Sequence, residues 1–285
     1  MARTINRSAH RRGALRTAAR LASPNTILGL AREARGLATH LLLYPIGLSE
    51  PRVEPTEDPH DAAWYDTPVV LVHGYFHNRS GFFFLSRALR RAGFRWVHGM
   101  NYNPIGESIQ TLAARLARHV DDVRRASGSD RVHVVGHSLG GVIARYYIQE
   151  LGGADRVDHC VTIGTPHHGT YAAFAGVGRA ARQIRPGSPL LQRLNESLRE
   201  CPTRFVNLYS DLDVLIVPPE SAILPYGPTV ENHLIHDFGH TSLLISSELT
   251  DVVTGHLVEA EIVTKLADVR RLPTRRERVQ RAAGR

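Results

Sequence analysis

Arg131-Val132-His133-Val134-Val135-Gly136-His137-Ser138-Leu139-Gly140-Gly141-Val142-Ile143-Ala144-Arg145-Tyr146-Tyr147-Ile148 reads as a strand, a sharp turn and a helix in direct succession. The centre, Gly136-His137-Ser138-Leu139-Gly140, is a G-x-S-x-G turn in the strand-to-helix setting that its chemistry needs. Glycines two residues to either side of Ser138 let the strand and helix backbones pass close together. The turn strains the serine backbone and lifts its hydroxyl above the sheet. The helix that begins there aims backbone N–H groups and the positive end of its dipole at the same place. G-x-S-x-G also occurs by chance in ordinary loops; the flanking strand and helix separate this one from them.

Outward from this turn, strand-like and helix-like apolar runs alternate at 68–72, 85–92, 109–125, 131–135, 142–151, 157–163, 205–209 and 232–236. Alternation of that kind predicts an α/β fold with a mostly parallel central sheet and helices on both faces. At 285 residues the chain suits one large catalytic domain, over 67–269, without internal repeats. Residues 1–66 read as a basic extension comprising an amphipathic helix at 26–48 and a Pro- and acid-rich linker at 49–66, and 270–285 read as a basic tail. The helix at 26–48 is expected to lie on the protein's own core, with a membrane surface as the alternative.

A serine hydroxyl is a weak nucleophile at neutral pH and needs a base that is itself oriented by an acid. At a strand-to-helix serine of this kind the partners follow in the order acid, then histidine. Arg204-Phe205-Val206-Asn207-Leu208-Tyr209 is a late strand, and the turn after it holds Asp211 and Asp213. Asp213 is preferred because the apolar run 214–217 would anchor its turn, with Asp211 bracing and Asp237 a distant third. His240 follows Gly239 at the end of the last strand, where a loop can reach back to Ser138. His233 and His236 fall inside that strand, and His256 lies too far along the next helix. Upstream, the apolar strand Pro68-Val69-Val70-Leu71-Val72 runs directly into His73-Gly74-Tyr75-Phe76. The backbone N–H groups of Tyr75 and Leu139 are the expected oxyanion donors. His73, Gly74, Phe76 and His137 beside them are the expected substrate contacts.

The net charge of +8 resides in the ends: residues 1–35 carry +7 and 270–285 carry +6, leaving about −5 between them. Such tails bind anionic surfaces or are simply solvated. No nucleic-acid-binding module is present in the body, so no nucleic-acid partner is expected. Arg16, Arg20, Arg32, Glu33 and Arg35 break up the apolar stretches near the N-terminus, so a signal peptide is not expected, and no run approaches a membrane span. The expected location is cytoplasmic or membrane-peripheral, with the basic tails as the membrane contact. Cys160 and Cys201 could pair if their strands are neighbours, but two buried free thiols fit as well. Neither has metal-site spacing, and His167-His168 and His233/His236 lack a matching carboxylate set, so no metal is expected.

The segments V-V-L-V-H-G-Y (69–75), V-V-G-H-S-L-G-G (134–141), G-T-P-H-H-G-T (164–170), Y-S-D-L-D (209–213) and G-H-T-S-L-L (239–244) together resemble the α/β-hydrolase superfamily, and within it the bacterial lipase and esterase group. The resemblance spans roughly 65–250. It implies Ser138 as nucleophile, Asp213 as acid, His240 as base, and hydrolysis of carboxylic esters, often acylglycerols, without a cofactor. It also implies that 171–200, small and apolar around 172–178 and broken at Pro186-Gly187-Ser188-Pro189, is a cap or lid; an ordinary helical insertion is the plainer alternative. An acyltransferase or lipid deacylase would use the same triad, and an inactive binding protein of the same fold would not need every catalytic position filled.

Overall fold

A computed structural model describes residues 24–49, 53–55 and 65–271. In chain order the helices are α1 (Pro24–Leu43), α2 (Phe83–Arg91), α3 (Ile109–Ser127), α4 (Leu139–Glu150), α5 (Arg179–Gln183), α6 (Pro189–Ser197) and α7 (Ser247–Arg271). The strands are β1 (Val69–Val72), β2 (Val97–Met100), β3 (Val132–His137), β4 (Val157–Ile163), β5 (Arg204–Ser210) and β6 (Val230–Ile235). They form one six-stranded sheet, every neighbouring pair parallel, in the order β2-β1-β3-β4-β5-β6.

Parallel strands need crossover helices, and those helices cover both faces of the sheet. The side chains divide accordingly. Val70, Val72, Val132 and Val134 pack with α3 and α4 on one face, while Val69, Leu71, Val135, Val161 and Leu208 pack with α2 and α7 on the other. That is why the β1 run is apolar at every position and buried throughout. The covering helices show a single stripe. In α3, Ile109, Leu112, Ala113, Leu116, Val120 and Val123 are buried at helical spacing. Ser108 caps its start by accepting the Thr111 N–H at 3.3 Å, and Gly128 ends it in the left-handed conformation, φ 72°.

The runs at 68–72, 85–92, 109–125, 131–135, 142–151, 157–163, 205–209 and 232–236 all become the expected elements to within a few residues. One strand, β2, has no counterpart in the sequence reading. Val97-His98-Gly99-Met100 is short and carries a glycine and a histidine, so its pattern is weak; hydrogen bonding to β1 in register Val69↔Val97 makes it a strand.

Strands β4 and β5 are neighbours, yet Cys160 and Cys201 are free and buried. Cys160 pairs with Phe205, so Cys201 lies four residues upstream of its register position, before the strand begins. Helix α1 packs against the turn Ser242–Ile245, where a Cβ on Gly36 would come within 2.8 Å of the Ser242 nitrogen. It rests on the domain as expected and still exposes Leu30, Leu37, Leu41 and Leu42. Most of the 49–66 linker and the tails at 1–23 and 272–285 lie outside the described residues. No helix among the described residues is long and apolar enough to cross a membrane.

Candidate active site

Strands β1, β3, β4, β5 and β6 all end on one edge of the sheet, and the candidate residues leave from those ends. Ser138 stands between β3 and α4 with φ 54° and ψ −121°. A non-glycine residue there costs on the order of 1–3 kcal/mol and persists only where its surroundings over-determine it. They do so here. The Ser138 N–H donates to the Ile163 carbonyl at 2.8 Å, and its own carbonyl accepts from Gly141 at 3.1 Å. Gly140 passes so close to β1 that a Cβ would lie 2.0 Å from the Val72 oxygen. Gly74 in turn passes directly under Ser138, where a Cβ would be 2.9 Å from the serine Cβ. The loop 73–76 and the start of α4 therefore flank the serine, with Tyr75 on the first and Leu139 opening the second, where helix N–H groups have no partner within the helix.

The turn after β5 resolves the choice between its two carboxylates geometrically. Asp213 Oδ2 accepts from His240 Nδ1 at 2.7 Å, and Oδ1 accepts the N–H groups of Leu215 and Ile216 at 2.9 and 3.0 Å. Both side chains are buried. Asp211 instead takes exposed His236 at 2.9 Å and the Asp237 N–H at 3.2 Å. Asp237 serves the turn itself, in a left-handed conformation with φ 63°. Burial pushes the His240 pKa down, but the charge and hydrogen bond of Asp213, with Glu33 adding to them, outweigh it and leave the group above the ordinary histidine value.

The helix at 26–48 was expected from the sequence, but Glu33 on it was not visible as a site residue. From α1 its carboxylate accepts the N–H of Thr241 at 2.9 Å, the N–H of Ser242 at 2.9 Å and the Thr241 hydroxyl at 2.7 Å. Arg32 donates to the Asp237 carbonyl at 2.9 Å, and His40 Nε2 donates to the Thr241 carbonyl at 3.2 Å. From the other side His137 Nε2 donates to the His240 carbonyl at 3.3 Å. The loop holding His240 is thus clamped between α1 and the serine turn. The other histidines nearby are kept neutral. Burial, then the neighbouring His240, His77 and His40, holds His137 far below the ordinary value, and burial with neighbouring histidines puts His77 at about 3.

Ser138 and His240 line a cavity of about 470 Å³. Its walls come from α1 (Leu37, His40, Leu41) and Tyr44, from the 75–77 loop, from 170–184, and from Leu215 and Ile216. Among the described residues, no Asp, Glu, Lys or Arg contributes to the lining. Of the expected substrate contacts, Phe76 and His137 line it. His73 and Gly74 do not. His73 is buried, stacked on Tyr102 with ring centroids 4.1 Å apart, and its Nε2 accepts the Tyr102 N–H at 3.3 Å. Burial lowers its pKa to about 4, so it braces the loop as a neutral ring. The lid candidate 171–200 also divides. Its first half borders the cavity through Ala172, Ala173, Ala175, Gly176, Ala181 and Ile184. Its second half, α6 and the turn after it, is core: Leu191 and Leu194 of α6 and Leu198 of the turn are buried, and the fully buried Arg145 of α4 donates to the Leu194 carbonyl at 2.7 Å. Arg145 also meets His167 of the 164–170 segment at 3.1 Å, which gives that motif a bracing function.

A family model of the alpha/beta hydrolase fold matches residues 67–195. The mature lipase BlEst2 of Bacillus licheniformis superposes with a TM-score of 0.56 at 18% identity, over 74% of this chain and 94% of that one. A monoacylglycerol lipase of Paleococcus ferrophilus gives 0.52 at 16% identity, over 69% and 96%. A gene product of Listeria innocua gives 0.54 at 14%, over 66% and 92%. The chain has the α/β-hydrolase fold. The family match contains Ser138, Tyr75 and Leu139 but ends before Asp213 and His240, and it begins after α1. The clamp on the histidine loop is therefore built largely from residues outside the matched span.

Proposed function

We propose that this α/β-hydrolase cleaves carboxylic esters with apolar acyl groups through Ser138, His240 and Asp213. The fold, with lipases among its structural neighbours, supports ester hydrolysis in general. The observation that carries the finer reading is the buried Asp213–His240 pair at 2.7 Å, whose histidine lines with Ser138 a cavity to which no charged side chain among the described residues contributes.

The chemistry follows from this placement. Asp213 occupies Nδ1 of His240, so Nε2 is the nitrogen that accepts a proton. It takes the Ser138 proton as Oγ bonds to the carbonyl carbon of the ester. The carbonyl electron pair moves onto oxygen, and the N–H groups of Tyr75 and Leu139 stabilise that charge. Collapse of the tetrahedral intermediate breaks the ester C–O bond, and His240 returns the proton to the departing alcohol. Water then attacks the acyl-enzyme, giving its proton to His240. The second collapse releases the acid and restores Ser138 with that proton. Asp213 stays ionised throughout and stabilises the imidazolium each time it forms.

The cavity walls select an apolar acyl chain because a charged one would lose its hydration without a partner. Leu41 and Phe76 of the lining are exposed, as are Tyr171, Phe174 and Val177, interspersed with lining residues of the 170–184 segment. That rim supports substrates presented from a lipid aggregate, and a membrane-peripheral location with the basic tails as auxiliary contacts. A panel of p-nitrophenyl esters and emulsified triglycerides, with fluorophosphonate labelling of Ser138, tests the reading. Absence of both turnover and labelling would overturn it.

A further inference from the structure

Edge strand β6 places alternate residues on one face. Glu231 and His233 therefore share the face of Ile235, which packs in the core beneath α7. The sequence reading took His233 together with His236, found no carboxylate set to match, and expected no metal. Strand β6 ends at Ile235, so His236 lies in the turn beyond it and not inside the strand as the sequence suggested, and it is bound to Asp211. The fold supplies a different partner, because α7 crosses this face and sets His256 beside His233, ring centroids 4.9 Å apart.

One ligand atom from each of Glu231, His233 and His256 lies within 4.8 Å of both others. Glu231 Oε2 is 3.5 Å from His233 Nε2 and 4.0 Å from His256 Nε2. Two ligands at about 2.0–2.1 Å from a tetrahedral zinc stand roughly 3.4 Å apart. The triangle is thus slightly wider than a closed site, and Glu231, more than half exposed at 57%, has the freedom to close it. His233 Nε2 is also shielded from solvent and makes no hydrogen bond among the described residues, the Glu231 carboxylate at 3.5 Å being an ion-pair contact only. Such an orphan normally finds a partner, and a metal ion meets that need without a proton. Glu231 and His256 also border a polar surface cavity of about 610 Å³, which gives water access for a fourth ligand. Of the cations on that cavity, Arg131 is paired with Asp158 at 2.6 Å, while Arg204 and the carboxylate of Glu259 also line it.

We propose that Glu231, His233 and His256 hold a divalent transition-metal ion of the zinc class, pinning α7 to the open edge of the sheet. Two imidazoles and one carboxylate suit zinc, whereas calcium and magnesium require more oxygens. Strand β6 is three strands from β3, a lateral distance of about 14 Å at the usual strand spacing, so the ion acts on stability and not on the ester.

The test uses the full chain, stripped with a chelator, dialysed against zinc chloride and desalted. Metal content by mass spectrometry should be about one zinc per chain, and the melting temperature should rise with added zinc. Glu231→Gln, a surface change that keeps the side-chain shape, and His256→Ala should each lose that equivalent and the rise in melting temperature. His236→Ala should keep both. Should a variant fail to fold, replacement of zinc by cobalt(II) in the unaltered chain should give the absorption of a four-coordinate N/O site. Zinc content that is negligible in the unaltered chain, or unchanged by Glu231→Gln and His256→Ala, would overturn the proposal, the latter by placing the ion elsewhere, such as on His240.

Discussion

The serine turn and the histidine loop face each other across one cavity, but they are held in opposite ways. The serine turn is local. Strand β3, Ser138 and α4 are consecutive, and the close approaches that enforce its strain involve glycines of the same motif and the adjacent strand β1. The histidine loop is assembled from afar. Asp213 reaches it from 27 residues upstream, and Glu33 of α1 from more than 200. Local strain can be encoded in a short motif, whereas a long-range clamp depends on where the chain folds back. A short-range site therefore tolerates loss of distant helices better than a long-range one.

Removing the proposed nucleophile tests the first half of this comparison and should have the largest effect. Ser138→Ala should cut turnover by about 10⁴ to 10⁶, since nucleophile and base act as a unit, with the melting temperature unchanged or raised by relief of strain. Retention of more than a few percent of turnover would break the assignment.

Next in size, Asp213→Asn should lower kcat by about 10⁴, because the imidazole loses its orientation and counter-charge. Asp211→Asn should act only through the 236–237 turn and change kcat within a few-fold. If the two effects exchange places, the acid of this site is two residues earlier.

Glu33 supplies the sharper test of the long-range half. Hydrogen bonds to a charged group are worth about 1.5–3 kcal/mol, so Glu33→Ala should reduce kcat/KM roughly ten- to a hundredfold. Its charge also leaves a pH signature. The base must be neutral to act, and the His240 pKa lies above the ordinary value, so the acid limb of kcat/KM should fall above about pH 6.5. Glu33→Gln removes a negative charge that favours the protonated ring. The limb should then move to lower pH while the fold stands. A limb that stays in place would reduce Glu33 to ordinary packing.

The smallest effect is expected from the tails. Removal of 1–23 and 272–285, leaving α1 intact, should hardly change hydrolysis of a short soluble ester. If the tails bring the enzyme to anionic lipid, the same truncation should weaken vesicle binding, and added salt should weaken it in the full chain. Binding that ignores both points to the exposed leucines of α1 and the rim at 171–177.

Much of the fold was legible because parallel strands buried on both faces must be largely apolar, as 69–72 is throughout and 160–163 is but for Thr162. The helices that cover them must carry one stripe. Strand β2 escaped because an edge position relaxes that demand, leaving His98 and Gly99 in a strand that hydrogen bonding alone defines. The turn around Ser138 was legible for a similar reason, since its glycines answer a steric requirement that only glycine meets. The sequence by itself therefore determined the layered α/β architecture, the elbow bearing Ser138 and the short list of partners for it. Tertiary structure alone decided that Asp213 and not Asp211 meets His240, that α1 walls the cavity and holds the histidine loop through Glu33, and that His233 faces His256 and not His236. Hydrophobic period and local strain act over a few residues and leave a pattern in the chain. A hydrogen bond between residues 33 and 241 leaves none, because its partners become neighbours only when the whole sheet has formed.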